Sequence, residues 1–267
     1  MSNELVSVVI PTYNNQDTIA VCLDSIRSQT YEPIEVIVVD GGSSDRTISI
    51  CKNYGVSIVN TDLGMAASRL EGARESEGEY LFHIDSDMEL SEKVVEECVD
   101  NMKEYDALII PEINVGDTYW AQCTDIGKSI SRENKVGNAR FLIRDLYFKV
   151  DGHNPELLHR EDREFHELLE MEGSSIGHTT ECIIHHIGKM RLIDILLKRY
   201  RYLLSLEDFN AKSRVNEEKI ENKRQVNHAS VIFKELKDRP SLIPGYVLIT
   251  ILISTLTSLV RMQHKIL

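Results

Sequence analysis

The feature that most constrains this chain is a series of short β-branched and aromatic runs, most of them ending in a polar or acidic cluster. Val6–Ile10 runs into Pro11-Thr12-Tyr13-Asn14, Ile34–Val39 into Asp40-Gly41-Gly42-Ser43-Ser44, and Tyr80–Ile84 into Asp85-Ser86-Asp87. A further strand is expected at Val56–Val59. Uninterrupted apolar runs of this length characterise strands buried on both faces. Between them, Ile19, Cys22, Leu23 and Ile26 recur at the spacing of an amphipathic helix, and helices are expected near Asp45–Tyr54 and Gly64–Glu75. Another should begin at Ser91 as N-cap, with Val94, Val95, Cys98 and Met102 on one face, before a strand at Ala107–Pro111. Strand alternating with helix implies an α/β fold, a mostly parallel sheet flanked by helices. Such sheets bind ligands beyond the C-terminal ends of their strands, where these polar clusters fall.

The second half is less regular. A strand is expected at Arg140–Arg144, a turn-rich loop at Asp151–Glu156, a helix at Glu161–Glu172 stopped by Gly173, and a last strand at Glu181–His185. Lys189–Leu206 reads as a long amphipathic helix whose first part carries Lys189, Arg191, Lys198, Arg199 and Arg201 against Asp194 alone. Residues 210–239 read as a charged linker or helix. From Ser241 to Val260 no residue is charged, and Arg261 and Lys265 close that stretch.

The net charge of −13 argues against a nucleic-acid binder, because phosphate contacts need a basic footprint. It leaves room for small phosphorylated ligands held through a cation. Cys22, Cys51, Cys98, Cys123 and Cys182 are odd in number, widely spaced and without a CxxC pair, so reduced core thiols are expected. Met1–Ser7 has no basic stretch and no secretory leader is expected.

Asp85-x-Asp87 places two carboxylates just past a buried strand, within reach of one hard cation such as Mg²⁺ or Mn²⁺ that keeps positions for substrate phosphates. Asp40, at another strand end, can accept from a base N–H or a ribose hydroxyl, or simply brace a βα turn. Neither a GxGxxG nor a GxxxxGK[ST] loop is present.

Val6–Asn14, Val36–Asp45, Gly64–Arg69 and Gly78–Asp87, in this order and at this spacing, resemble the consecutive motifs of family 2 glycosyltransferases of the GT-A fold. The close match covers residues 6–90 and a looser one runs to about 188. The resemblance implies inverting transfer of a sugar from a UDP- or GDP-linked donor. It implies that Thr12, Tyr13 and Asp40 hold the nucleobase and ribose, with Pro11, Gly41 and Ser86 in the same donor-binding set. Arg69 would face the nucleotide or its diphosphate, and Asp85 and Asp87 the ribose and the metal, Asp87 foremost for the metal. The family places its base in an ED motif at a helix start, matched here by Glu161-Asp162, which makes Asp162 the candidate base. The loop before it, a Gly-Gly-Phe-Asp-Glu-like segment in the family, departs here to Asp151-Gly-His-Asn-Pro-Glu156, keeping one Gly and the final Glu. Some members supply a histidine as third metal ligand near His185-His186. These two point to opposite faces of a continuing strand, so at most one would be a ligand. Trp120, with Tyr119, could line an acceptor groove or belong to the core.

The expected organisation is a GT-A-like domain over 1–188, with a donor half to about 112 and an acceptor half beyond it. A basic and charged helical region follows over 189–239, then a hydrophobic C-terminal helix over 240–267. That last segment is long enough to cross a bilayer core of about 30 Å. A spanning helix, an interfacial helix and a helix packed on a partner, a second copy among them, all fit its composition. With the basic helix before it, the segment suggests a membrane-associated enzyme on the cytoplasmic side with a lipid-linked acceptor. The alternatives are the same chemistry on a soluble or protein acceptor, and a nucleotide-sugar-binding module without catalysis.

Overall fold

The computed structural model describes residues 4–215 and 228–264. Lys265 and much of the expected charged linker, 216–227, lie outside the described residues. In chain order the first half comprises β1 (Val6–Thr12), α1 (Ile19–Arg27), β2 (Ile34–Asp40), α2 (Thr47–Tyr54), β3 (Ser57–Asn60), α3 (Met65–Arg74), β4 (Tyr80–His83), β5 (Met88–Leu90), α4 (Val94–Asn101) and β6 (Ala107–Ile109). There follow β7 (Glu112–Gly116), α5 (Tyr119–Glu133), β8 (Ala139–Ile143), α6 (Arg144–Lys149), α7 (Glu161–Met171), β9 (Ile176–His178), β10 (Ile183–Gly188), α8 (Leu192–Leu204), α9 (Leu206–Lys212), α10 (His228–Asp238) and α11 (Ile243–His264).

Seven strands form one sheet in the order β3-β2-β1-β4-β8-β6-β9, parallel except for β8. One face packs Val8, Ile10, Phe82, Ile84 and Phe141 under α1 and α4, with Cys22 and Cys98 among the fully buried side chains. The other packs Val9, Ile37, Val39, Leu81 and Leu142 against α3, α6 and α7. The five cysteines are free, and all but Cys182 are buried. Strand β1 continues through Pro11 to Thr12, beyond the stop expected at the proline. Its ladder with β4 ends at Val9 and His83, so the N–H that proline lacks falls where no partner strand needs it. Ser91 is not the cap of α4. Its carbonyl, not its hydroxyl, accepts from Val94 N–H at 3.2 Å, and the helix begins at Val94.

Strands β5, β10 and β7 make a second, three-stranded sheet. Neither β5, β7 nor α5 was expected from the pattern. The two strands are short, and the buried face of α5 is Ala121, Cys123, Asp125, Ile126, Ser129 and Ile130, whose small and polar members blur the helical period.

Helix α11 docks on α5 and α8 through Ile243, Tyr246 and Ile249, which join Trp120, Cys123, Ile126 and Ile195 in a third core cluster. Trp120 therefore belongs to packing. Tyr119 Oη donates to the Ser241 carbonyl at 2.9 Å and accepts from Gly245 N–H at 3.0 Å. A side chain at Gly245 would strike Cys123 Sγ at 2.4 Å, so glycine sets the close approach. This docking within the chain is an arrangement the composition did not single out. Pro240–Met262 is long and apolar enough to cross a membrane, and an 18-residue stretch within it has a mean hydropathy of 1.9 and is only 22% buried. Val247, Leu248, Ile251, Leu259 and Met262 stay exposed along it.

Candidate active site

Two βα loops are laced together at the C-terminal edge of the sheet. Gly41 N–H donates to the Thr12 carbonyl at 2.9 Å, Asn14 N–H to Ser43 Oγ at 2.8 Å, and Ser44 N–H to Asn14 Oδ1 at 2.8 Å. Asp40 is 3% exposed, and its carboxylate accepts from Gly42 N–H, Ser43 N–H and Ser43 Oγ at 2.5–3.1 Å. It braces its own turn, in which Gly42 takes φ 87°. Beside it, Pro11 and Thr12 are buried, Thr12 Oγ1 is without a partner, and the Tyr13 ring is 62% exposed.

The acidic turn after β4 lies between the two sheets. Asp85 is clamped by two arginines, Oδ1 by Arg69 Nη2 at 2.6 Å and Oδ2 by Arg140 Nη2 at 3.4 Å. Ser86 is buried. Asp87 faces β10, whose His185 places Nε2 3.2 Å from Asp87 Oδ2, while His186 N–H donates to the Asp87 carbonyl. The His186 ring points away and meets Glu89 at 2.7 Å. Burial would raise the Asp87 carboxyl, but the hydrogen bond and charge of His185 outweigh it and hold it below its ordinary value.

Arg69, on α3, is 1% exposed and reaches Glu161 Oε1 at 3.1 Å and Asp162 Oδ1 at 3.4 Å as well as Asp85. It does not open onto a cleft; it is the shared counter-ion of three carboxylates from two ends of the domain. Arg140 bridges Asp85 to Glu112, which is also paired with Lys128 and lies 3.9 Å from His185 Nδ1. Glu112 is pulled down to about 2 despite burial, chiefly by Arg140 and Lys128.

Helix α7 begins after Arg160, held at φ 65°, and puts Glu161 and Asp162 in its first turn. Their environments drive them apart. Burial and the Asp162 charge raise Glu161 to about 6. Burial also pushes Asp162 upward, but Arg69 and a hydrogen bond with His153 prevail and hold it far below the carboxylate range.

The structure thus gathers the half-buried Asp85, Glu161 and Asp162 around the buried Arg69, with Asp87 and His185 at the rim of the cluster. Thr12, Tyr13, Asp40 and Gly41 lie further along the same sheet edge. Sequence reasoning missed Arg140, Glu112 and His153. Glu112 carried the same signal as Asp85, an acid just past a buried strand. Arg140 did not, because only the antiparallel direction of β8 brings that strand's first residues to this edge.

The family described as Glycosyl transferase family 2 matches residues 7–153. Among curated relatives, the chain is 33% identical over 123 residues to glycosyltransferase GlyA of Streptococcus pneumoniae, covering 44% of this chain and 17% of that one. It is 33% identical over 156 residues to glycosyltransferase GlyG of the same organism, covering 56% of this chain and 47% of that one. It therefore spans less than half the length of either relative. Among solved structures, the mannosyltransferase PcManGT from Pyrobaculum calidifontis, in complex with GDP-Man and Mn²⁺, superposes with a TM-score of 0.64 at 16% identity, over 100% of this chain and 81% of that one. S. aureus TarS 1-349 in complex with UDP-GlcNAc gives 0.57 at 18% identity, over 97% and 92%. These likenesses establish the shared fold. With more than half of its residues matched by the family's own pattern, the chain belongs to glycosyltransferase family 2.

Proposed function

We propose that this chain is a divalent-cation-dependent, inverting glycosyltransferase that moves a sugar from a UDP- or GDP-linked donor to a hydroxyl of a lipid-linked or membrane-proximal glycan. The observation that carries the reading is the bridge formed by Arg69, which ties the acidic turn at Asp85 to Asp162 at the start of α7.

In this reading the nucleoside lies over Pro11, Thr12, Tyr13, Asp40 and Gly41, with the exposed Tyr13 ring as a stacking face. Asp87 and His185 are the protein ligands of Mn²⁺ or Mg²⁺. Asp85, its two oxygens engaged by arginines, orients that turn and, with Ser86, borders the ribose. The fit of a cation rests on the donor set and on charge. Asp85, Asp87, Glu112, Glu161 and Asp162 outnumber the paired cations Arg69, Arg140 and Lys128. Among the described residues no group of three ligating side chains gathers, so donor phosphate oxygens would complete the coordination. Bound there, the cation neutralises the charge that develops on the leaving nucleoside diphosphate. Asp162 accepts the proton of the acceptor hydroxyl as that oxygen bonds to the anomeric carbon and the sugar–phosphate bond breaks. Held ionised by Arg69 and His153, Asp162 is in the form that can accept a proton.

The exposed apolar residues of α11 and the lysine and arginine side chains of α8 support a membrane-proximal acceptor. Sedimentation of the full chain with vesicles of anionic phospholipid tests this, and a chain left in the supernatant favours a soluble acceptor. The donor test is calorimetric titration with UDP and with GDP, each with and without Mn²⁺. Metal-dependent binding of one nucleotide, lost in Asp87→Ala, is expected. Absence of binding by folded protein overturns the donor reading. Asp162→Asn should retain nucleotide binding and lose transfer by about 10²–10⁴-fold; undiminished transfer removes Asp162 from the mechanism.

A further inference from the structure

His153 follows Gly152 in the loop before α7, and it is 2% exposed, stacked on Phe165 with ring centroids 4.5 Å apart. Its ring is fixed at both nitrogens. Nδ1 lies 3.1 Å from Tyr147 Oη, and Nε2 lies 3.3 Å from Asp162 Oδ1. The carboxylate and the phenol together settle which nitrogen carries hydrogen: the ionised Asp162 can only accept, so Nε2 beside it donates. Tyr147 Oη accepts from the His153 backbone N–H at 3.1 Å, so its own proton is available for Nδ1. Burial, with Arg69 and Arg140 nearby, outweighs the opposite pull of Asp162 and lowers the affinity of the imidazole for a second proton. A neutral ring that accepts at Nδ1 must carry its hydrogen on Nε2 and donate it to Asp162.

We infer that His153 is a positioning residue for the catalytic base: Tyr147 sets its tautomer, and its Nε2–H, together with Arg69, holds Asp162 by Oδ1 so that Oδ2 takes the acceptor proton. The inference rests on the reading of Asp162 as that base. Both contacts fall on the same oxygen, Arg69 Nη1 at 3.4 Å and His153 Nε2 at 3.3 Å. A base pinned this way presents one oxygen in a set direction, which matters because small misplacements of a reacting group cost large factors in rate. A phenylalanine at 153 would fill the space and keep the Phe165 stack but offer no donor. The histidine in this loop therefore acts on the base side of the reaction.

Long-range ¹H–¹⁵N spectra of the full-length ¹⁵N-labelled protein at pH 7 read the tautomer directly. A neutral His153 protonated at Nε2 is expected, with its signals shifted in Asp162→Asn. An Nδ1–H tautomer or an imidazolium overturns the assignment. The kinetic arm follows nucleotide release from UDP-glucose, UDP-GlcNAc and GDP-mannose with Mn²⁺, water serving as acceptor. His153→Phe should lower kcat by about tenfold or more with little change in KM. His153→Gln, which keeps an N–H donor at the end of its side chain, should recover most of that loss. Loss in Asp162→Asn with no loss in His153→Phe refutes the role of His153 and leaves the base intact. Undiminished release by Asp162→Asn refutes the base reading itself. Equal loss in Phe and Gln variants, with equal falls in melting temperature, reduces His153 to a packing residue. If the Phe variant does not fold, the tautomer still decides.

Discussion

The two halves of this domain position polar groups by different means. In the first, hydrogen bonds within and between neighbouring loops do the holding, through backbone groups and the small polar side chains of Asn14, Asp40 and Ser43. Thr12, Gly41, Asn14 and Ser43 are fixed by loop-to-loop hydrogen bonds at the ends of adjacent parallel strands, and the strands beneath are continuous apolar runs. In the second, charge holds charge. Glu112, Arg140, Glu161, Asp162 and His185 come from short strands and a helix start, and they meet through a lattice of ion pairs that reaches back to Asp85 and Arg69. Hydrogen bonds of that kind can be lost one at a time. A lattice of ions fails when a shared cation is removed, because the carboxylates it served are left without a counter-ion.

The sharpest way to break the comparison is to remove Arg69. Arg69→Leu leaves the half-buried Asp85, Glu161 and Asp162 facing one another without their shared, buried counter-ion, and a loss of about 3 kcal/mol is expected in chemical denaturation. A loss under 1 kcal/mol would mean that the lattice is not what binds the halves. Next comes Arg214, which lies just before the end of the first described stretch. Its guanidinium and backbone N–H both reach the fully buried Glu164, and Nη2 donates to the Gly152 carbonyl at 2.7 Å. Arg214→Ala should cost about 2–3 kcal/mol and loosen the 150–154 loop, measured as faster amide exchange there, while exchange in β1 and β2 stays unchanged.

Glu161→Gln sharpens the contrast with the smallest effect and the opposite sign. The folded state raises this carboxyl from 4.5 to about 6, so it binds its proton more tightly than the unfolded chain does. Ionising it therefore costs stability as pH climbs from about 4.5 to 6, and the full cost applies above that. The variant should be more stable than the parent by about 1–2 kcal/mol at pH 8 and indistinguishable at pH 4. Equal stabilities at both values would show that Arg69 fully offsets the repulsion from Asp162.

The same contrast explains what the sequence could reveal. Buried parallel strands read as β-branched runs, and residues just past their ends fall on one edge by topology alone, so β1 to β4 and the positions of Thr12, Asp40, Asp85 and Asp87 were legible. The second half was not, for three physical reasons. An antiparallel insertion such as β8 reverses which end of a strand reaches the edge, and nothing local to Arg140 announces it. The buried face of α5 includes Asp125, neutralised by Arg132 and Arg239, so the helix hides behind a polar residue that only distant partners make tolerable. Arg69 was legible as a site residue by resemblance, but that it would be enclosed by three carboxylates depends on Glu161 and Asp162, ninety positions away.

The docking of α11 gives the C-terminal helix a mechanical meaning. Tyr119 and Gly245 fasten its first turns to α5, and α5 packs on β7, the strand that begins with Glu112. A helix on a flexible tether would have no set direction relative to the sheet edge. A helix seated in this way works as a bracket: its exposed apolar residues keep a fixed angle and distance to that edge.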